Sequence, residues 1–225
     1  MLLLDYLSFF ASPLLFLLFV AYLRFKFELK SLKFIWQALL WGFVAVIFVI
    51  AANEVIKVLG LDNLRNMRRT AFYVFVVVAF SAEFGKFMPL RYSFYNLKHF
   101  NTPLSGIIYG MIIALGFSTL AVVLYAYGIL GTEKMKYMTL FLWTYPLANL
   151  VFGAVQGFFI GMGKVRKNTL IDELSCLGIA TFFHALFYFG FLTSDQRLLL
   201  LSGIGLAIVG IVLVVKASTI KPVSR

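Results

Sequence analysis

Cysteine occurs once, histidine twice and carboxylates only nine times in these 225 residues. Each scarcity closes off a chemistry. A single thiol, Cys176, can form no disulfide within the chain and supports no cysteine-based metal site. With His99 and His184 as the whole histidine complement, zinc cannot be held by three imidazoles, and no His-Glu-x-x-His occurs. Asp5, Asp62, Asp172 and Asp195 all fall at the ends of apolar runs or between them, so no aspartyl dyad is expected. The sequence therefore predicts no cofactor and no metal. There is no Pro-, Ser- or Gly-rich linker, no internal repeat and no low-complexity tract, so residues 1–225 are read as a single integral membrane domain.

What the chain has in abundance is apolar surface. Hydrophobic residues make up 62%, including 26 Phe, and charged residues only 13%, against about 25% charged in an ordinary soluble domain. The apolar residues come in uninterrupted runs rather than at amphipathic spacing, the pattern of helices that face lipid. About 20 such residues cross a bilayer as a helix. Seven runs meet or approach that length: Tyr6 to Leu23, Phe34 to Ile56, Thr70 to Tyr95, Leu104 to Leu130, Tyr137 to Met162, Leu170 to Leu192 and Leu198 to Val215. The expected fold is an all-α, polytopic membrane bundle of about seven helices. The N-terminal run has no basic segment before it, which predicts a retained span rather than a cleaved signal peptide.

A net charge of +11 in a soluble protein would suggest nucleic acid. Here Lys and Arg lie almost wholly between the apolar runs, where they meet anionic lipid and govern insertion, so no nucleic-acid partner is expected. Arg24, Lys26, Lys30, Lys33, Arg91, Lys98, Lys164, Arg166, Lys167, Lys216, Lys221 and Arg225 fall on one side. Lys57, Arg65, Arg68, Arg69, Lys134, Lys136 and Arg197 fall on the other. The excess predicts the N-terminus outside and the C-terminus in the cytoplasm.

Ionisable groups at bilayer depth are costly and need a reason. Glu83 is the carboxylate well inside a run, and Lys86 follows three residues later on the same helical face, where the two can pair. The pair reads either as a packing device or as part of a site. His184 and Asn149 lie in the sixth and fifth runs, as interhelical hydrogen-bonding groups or as partners of Glu83. Ser118, in Gly116-Phe117-Ser118, reads as a small packing residue or as a nucleophile with His184 as base. Gly153, Gly157 and Gly161 have the spacing of a close helix contact, either inside the protein or with another chain.

Longer segments carry a family signal. Pro103-Leu104-Ser105-Gly106-Ile107-Ile108-Tyr109-Gly110, Ala114-Leu115-Gly116-Phe117-Ser118-Thr119 and Val123-Leu124-Tyr125 follow one another. Ala82-Glu83-Phe84-Gly85-Lys86 precedes them, and Asn149-Leu150-Val151-Phe152-Gly153, Gly157-Phe158-Phe159-Ile160-Gly161 and His184-Ala185-Leu186-Phe187 come after. Over about residues 70–192 this order resembles the PrsW family of intramembrane proteases, distant relatives of the CAAX prenyl endopeptidases. Active members of that family carry Glu-Glu-x-x-Lys, His-Ala-Leu-Phe-Gly and His-Gly-Leu-Tyr-Asp. The resemblance implies a glutamate that activates water and histidines that orient it or stabilise the oxyanion. In this chain Ala82 takes the place of the first glutamate and Asn149 of the first histidine. Ala121 stands at the later acidic position, and Ser105 and Tyr188 stand at the aspartates. Glu83, Lys86 and His184 keep the polar pattern.

Hydrolysis needs a base in reach of water and groups that stabilise developing charge. Alanines accept no proton, and Asn149 donates hydrogen bonds but does no acid or base chemistry near neutral pH. Residues 82 and 83 also point about 100° apart on a helix, so Glu83 faces a different neighbour from Ala82. The expectation is a catalytically silent homologue with a vestigial site at Glu83, His184 and Asn149, lined or supported by Lys86, Ser105 and Ser118. Its partners would be the lipid bilayer and another membrane protein, and its location the bacterial cytoplasmic (inner) membrane. The alternatives are a divergent active protease using Glu83 and His184, or a small transporter with a polar path through Glu83, Lys86, Asn149 and His184.

Overall fold

A computed structural model describes residues 3–27, 32–62, 64, 66–131, 135–166 and 168–220. Lys30, Arg65, Lys134, Lys167, Lys221 and Arg225, used above to weigh charge on the two sides, lie outside the described residues. No strand occurs among the described residues. Among those same residues seven stretches are long and apolar enough to cross a membrane: Leu3–Lys26, Lys33–Val58, Met67–Phe94, Pro103–Ala126, Met138–Arg166, Thr169–Thr193 and Gln196–Thr219. The seven apolar runs of the sequence are thus seven helical crossings, with ends displaced by a few residues.

The first crossing is α1 (Leu3–Ser8) and α2 (Ala11–Phe27), the second α3 (Lys33–Val58). The third is composite, with α4 (Met67–Phe72), a π-helical stretch (Tyr73–Phe80), α5 (Ser81–Pro89) and a second π-helical turn (Leu90–Phe94). Wide turns of this kind recur near functional sites, and these two bracket Glu83 and Lys86. Then come α6 (Pro103–Ala126), α7 (Met138–Arg166), α8 (Thr169–Thr193) and α9 (Gln196–Thr219).

The helix starts follow local chemistry. Thr102 accepts from the Ser105 N–H at 3.0 Å and donates its own N–H to Ser105 Oγ at 3.1 Å, with Pro103 in the first turn of α6. Asp195 accepts from the N–H groups of Arg197 and Leu198 at 2.9 and 3.3 Å and so caps α9.

α6 is the axis of the packing, buried along most of its length. Two glycine contacts bring other helices onto it. A Cβ added at Gly106 would run into the Gly157 carbonyl, and one at Gly110 into the Gly153 carbonyl, while Gly161 lies against Pro103. On the opposite flank Gly42 of α3 meets the α6 backbone at Ile113, and Gly116 meets Leu39. Only backbone without a side chain allows this approach. The Gly153, Gly157 and Gly161 spacing, which in the sequence could serve an internal or an external contact, is therefore spent inside the protein on the α6–α7 seam. α9 is the opposite extreme, with only Ser202, Leu206 and Ala217 buried among its residues.

Candidate functional site

Four polar side chains from three crossings meet in the middle of the bundle. Lys86 Nζ donates to Glu83 Oε1 at 2.7 Å and to Asn149 Oδ1 at 2.8 Å. His184 Nδ1 lies 2.6 Å from the same Glu83 oxygen. Exposure is 0% for Glu83, Asn149 and His184 and 1% for Lys86, so the group is sealed from both lipid and water.

Each side chain arrives there for a local reason. The three-residue spacing puts Glu83 and Lys86 one above the other on α5. Asn149 donates through Nδ2 to the Tyr145 carbonyl of its own helix at 3.0 Å, which turns Oδ1 towards Lys86. The His184 ring stacks on Phe152, with centroids 4.8 Å apart and planes within 14°. Facing an ionised carboxylate, Nδ1 carries the proton and Nε2 accepts, and the Tyr145 hydroxyl lies 3.4 Å from Nε2. The Lys86 ammonium also stands 4.9 Å from the Phe117 ring centre and 5.5 Å from that of Phe152, so aromatic faces supply what solvent would. Gln156 Nε2 donates to the Glu83 carbonyl at 2.7 Å and ties α7 to α5.

Charge balance explains how this survives at bilayer depth. Glu83 and Lys86 cancel, and each gains hydrogen bonds beyond the pair. Glu83 Oε2 is the exception, a buried oxygen without a hydrogen-bond partner. Ala82 and Ala121, at two of the positions expected to be acidic, present only carbon. They lie in the apolar cluster that also holds Phe117 and Phe152, the rings beside Lys86, and Tyr188, which stands at a third such position. Tyr125 packs against Phe141, Tyr145 and Tyr188 at 5.1, 5.4 and 5.9 Å in that cluster.

The two serines lie apart from the four. Ser118 Oγ is 2.7 Å from Ser12 Oγ of α2, so it joins α2 to α6 instead of meeting His184. Ser105 is half-buried in the cap of α6. Sequence reasoning overlooked Tyr145, Phe152 and Gln156. With Asn149 they stand at intervals of four, three and four residues on one face of α7, and Gln156 was the readable signal, an amide inside an apolar run. It also overlooked Asn53, whose Oδ1 accepts from the Tyr73 hydroxyl at 2.7 Å between α3 and the composite helix.

A family profile described as "PrsW family intramembrane metalloprotease" matches residues 30–217. A curated relative named Protease PrsW, from Geobacillus kaustophilus strain HTA426, is 27% identical over 150 residues, covering 65% of this chain and 62% of the relative. The chain thus spans somewhat less than two thirds of that protein. No solved structure matches it.

The family description implies a metal, and the residues here do not fit one. Among the described residues no three His, Cys, Asp or Glu side chains are grouped to hold an ion, whereas protein zinc sites use three or four such ligands. Glu83 and His184 are the two ligand types present, and the Lys86 ammonium already occupies the cation position beside the carboxylate. With seven membrane-length helices and a profile match over most of its length, the chain belongs to the PrsW family of intramembrane proteases.

Proposed function

We propose that this protein is a catalytically silent member of its family, acting in the membrane as a binding or regulatory subunit. The observation that carries the reading is the closure of the Glu83–Lys86–Asn149–His184 group, with every member at 0 or 1% exposure. A general base must reach the water whose proton it takes. Glu83 Oε1 instead accepts from both Lys86 and His184, and aromatic rings fill the surrounding space. The same sealing argues against a polar transport path. The cluster's role in this reading is to hold α5, α7 and α8 together. In this reading the bilayer is the medium, the partner is another membrane protein, and the charge bias along the sequence supports an N-terminus outside the cytoplasmic membrane.

One observation favours a second reading. Glu83 Oε2 is a free acceptor beside a Glu–His pair, which is where an attacking water would be held in a divergent active protease.

Incubation of purified protein with membrane-helix substrates separates the two. The expected result is no cleavage above that of Glu83→Ala and His184→Ala. Turnover that disappears in either variant establishes the active reading instead. Affinity purification from native membranes tests the subunit role, and a chain that always emerges alone counts against it.

A further inference from the structure

Zinc sites in proteins gather three or four nitrogen, sulfur or oxygen donors around one point, at about 2.0–2.3 Å. Nearly every donor around Glu83 is committed elsewhere. Glu83 Oε1 accepts from Lys86 at 2.7 Å and faces His184 Nδ1 at 2.6 Å. That nitrogen directs its proton at the carboxylate, so its lone pair is not on offer, and Nε2 faces the Tyr145 hydroxyl at 3.4 Å. Asn149 uses both ends of its amide, Oδ1 for Lys86 and Nδ2 for the Tyr145 carbonyl. Glu83 Oε2 is the donor left over in the cluster, one where three are needed. The chain's other soft ligands stand apart. His99 meets Tyr109 at the start of α6, and Cys176 precedes His184 by eight residues on α8, about 12 Å along its axis.

Charge gives the same answer as donor count. One negative charge on Glu83 and one positive charge on Lys86 cancel, at 0 and 1% exposure. A divalent ion admitted beside them would leave two positive charges buried, with no second carboxylate to answer them, because carbon stands at Ala82 and Ala121. Burial of unpaired charge is costly. The Lys86 ammonium already has a cation's surroundings: a carboxylate oxygen, an amide oxygen and the faces of Phe117 and Phe152. Lysine at this place belongs to the family pattern. Particular to this chain is the amide oxygen of Asn149, which accepts from the ammonium where the pattern has a histidine.

We propose that this protein is a metal-independent member of a family described as metalloproteases, with Lys86 as the resident cation of the site and Asn149 as the residue that fits the site to an ammonium. The inference concerns what the site holds and applies under either reading of its activity.

The test is the metal content of the full chain, purified without chelator from cells grown with added zinc and analysed by inductively coupled plasma mass spectrometry. Its unfolding temperature is then measured with zinc and with EDTA. Wild type is expected to carry no more than about one ion per ten chains and to unfold within about 1 °C of the same temperature under both additions. An ion bound at about a hundred times its Kd would raise that temperature by several degrees. Lys86→Met/Asn149→His removes the ammonium and leaves Glu83, His184 and a second imidazole as three donors from three helices. This double variant is expected to take up about one zinc per chain, while Asn149→His alone, which keeps the ammonium, is expected to stay as metal-poor as wild type. The proposal is overturned if wild type carries or gains a stoichiometric ion, if EDTA lowers its unfolding temperature, or if the folded double variant binds no more zinc than wild type. Should the double variant not fold, the wild-type measurements decide. Cleavage of a membrane helix by the metal-free chain would end the silent reading and leave this inference standing, whereas a bound ion without cleavage would do the reverse.

Discussion

Lys86 holds the buried cluster in balance. It is the cation beside Glu83, it fixes Asn149, and two aromatic rings surround it. Removing one member of a buried ion pair leaves an uncompensated charge and costs about 3–5 kcal/mol. Lys86→Met is therefore expected to destabilise the protein by that order in detergent unfolding titrations. Glu83→Gln/Lys86→Met, which removes both charges, is expected to recover much of the loss. A single variant as stable as wild type would deny the pair this role. The Glu83 and Lys86 spacing was readable from the sequence because both lie within one turn of one helix. Their meeting with Asn149 and His184 was not, since it joins residues 63 and 101 positions apart in the chain.

A second histidine gives a pH effect outside the membrane-spanning segments. His99 lies before α6 with Nε2 2.6 Å from the Tyr109 hydroxyl. Partial burial, reinforced by the Lys164 charge, holds its pKa below the ordinary 6.5. As pH falls, the unfolded chain takes up this proton first. Stability contributed by neutral His99 is thus complete above about pH 6.5 and lost as pH drops through the lower folded value. Thermal unfolding between about pH 5 and 7.5 should show this slope in wild type and a shallower one in His99→Gln.

Among the helices, α6 and α7 depend most on residues that contribute no side chain. Gly157→Ala would drive a methyl group into the Gly106 backbone, an overpacking penalty of about 1–3 kcal/mol or more. Gly178→Ala on α8 meets nothing within 4 Å and serves as its control, expected to leave unfolding unchanged. Equal behaviour of the two variants would mean that the seam is looser than its geometry implies. The glycine spacing announced a close helix contact, but the choice between an inner and an outer one needed the facing glycines of α6. The same holds for Ser118, which a local pattern offered to His184 and the packing assigned to Ser12.

For the molecule as a whole, orientation is the property most open to direct measurement. With seven crossings and the basic excess on the N-out, C-in arrangement, alkaline phosphatase fused after Gly128 is expected to be active. A fusion after Leu97 is expected to be inactive. The reverse pattern would invert the assignment.

Membrane residence, helical class, the number of crossings and family kinship all follow from the order of residues along the chain. Partition into hydrocarbon is decided segment by segment, by length and composition, and family motifs are strings of neighbours. The sealing of the charged cluster and the inward use of the glycine stripe belong to the tertiary structure alone. Each depends on which faces of distant helices meet and how closely, and apolar runs with little amphipathic periodicity do not declare which face will turn inward.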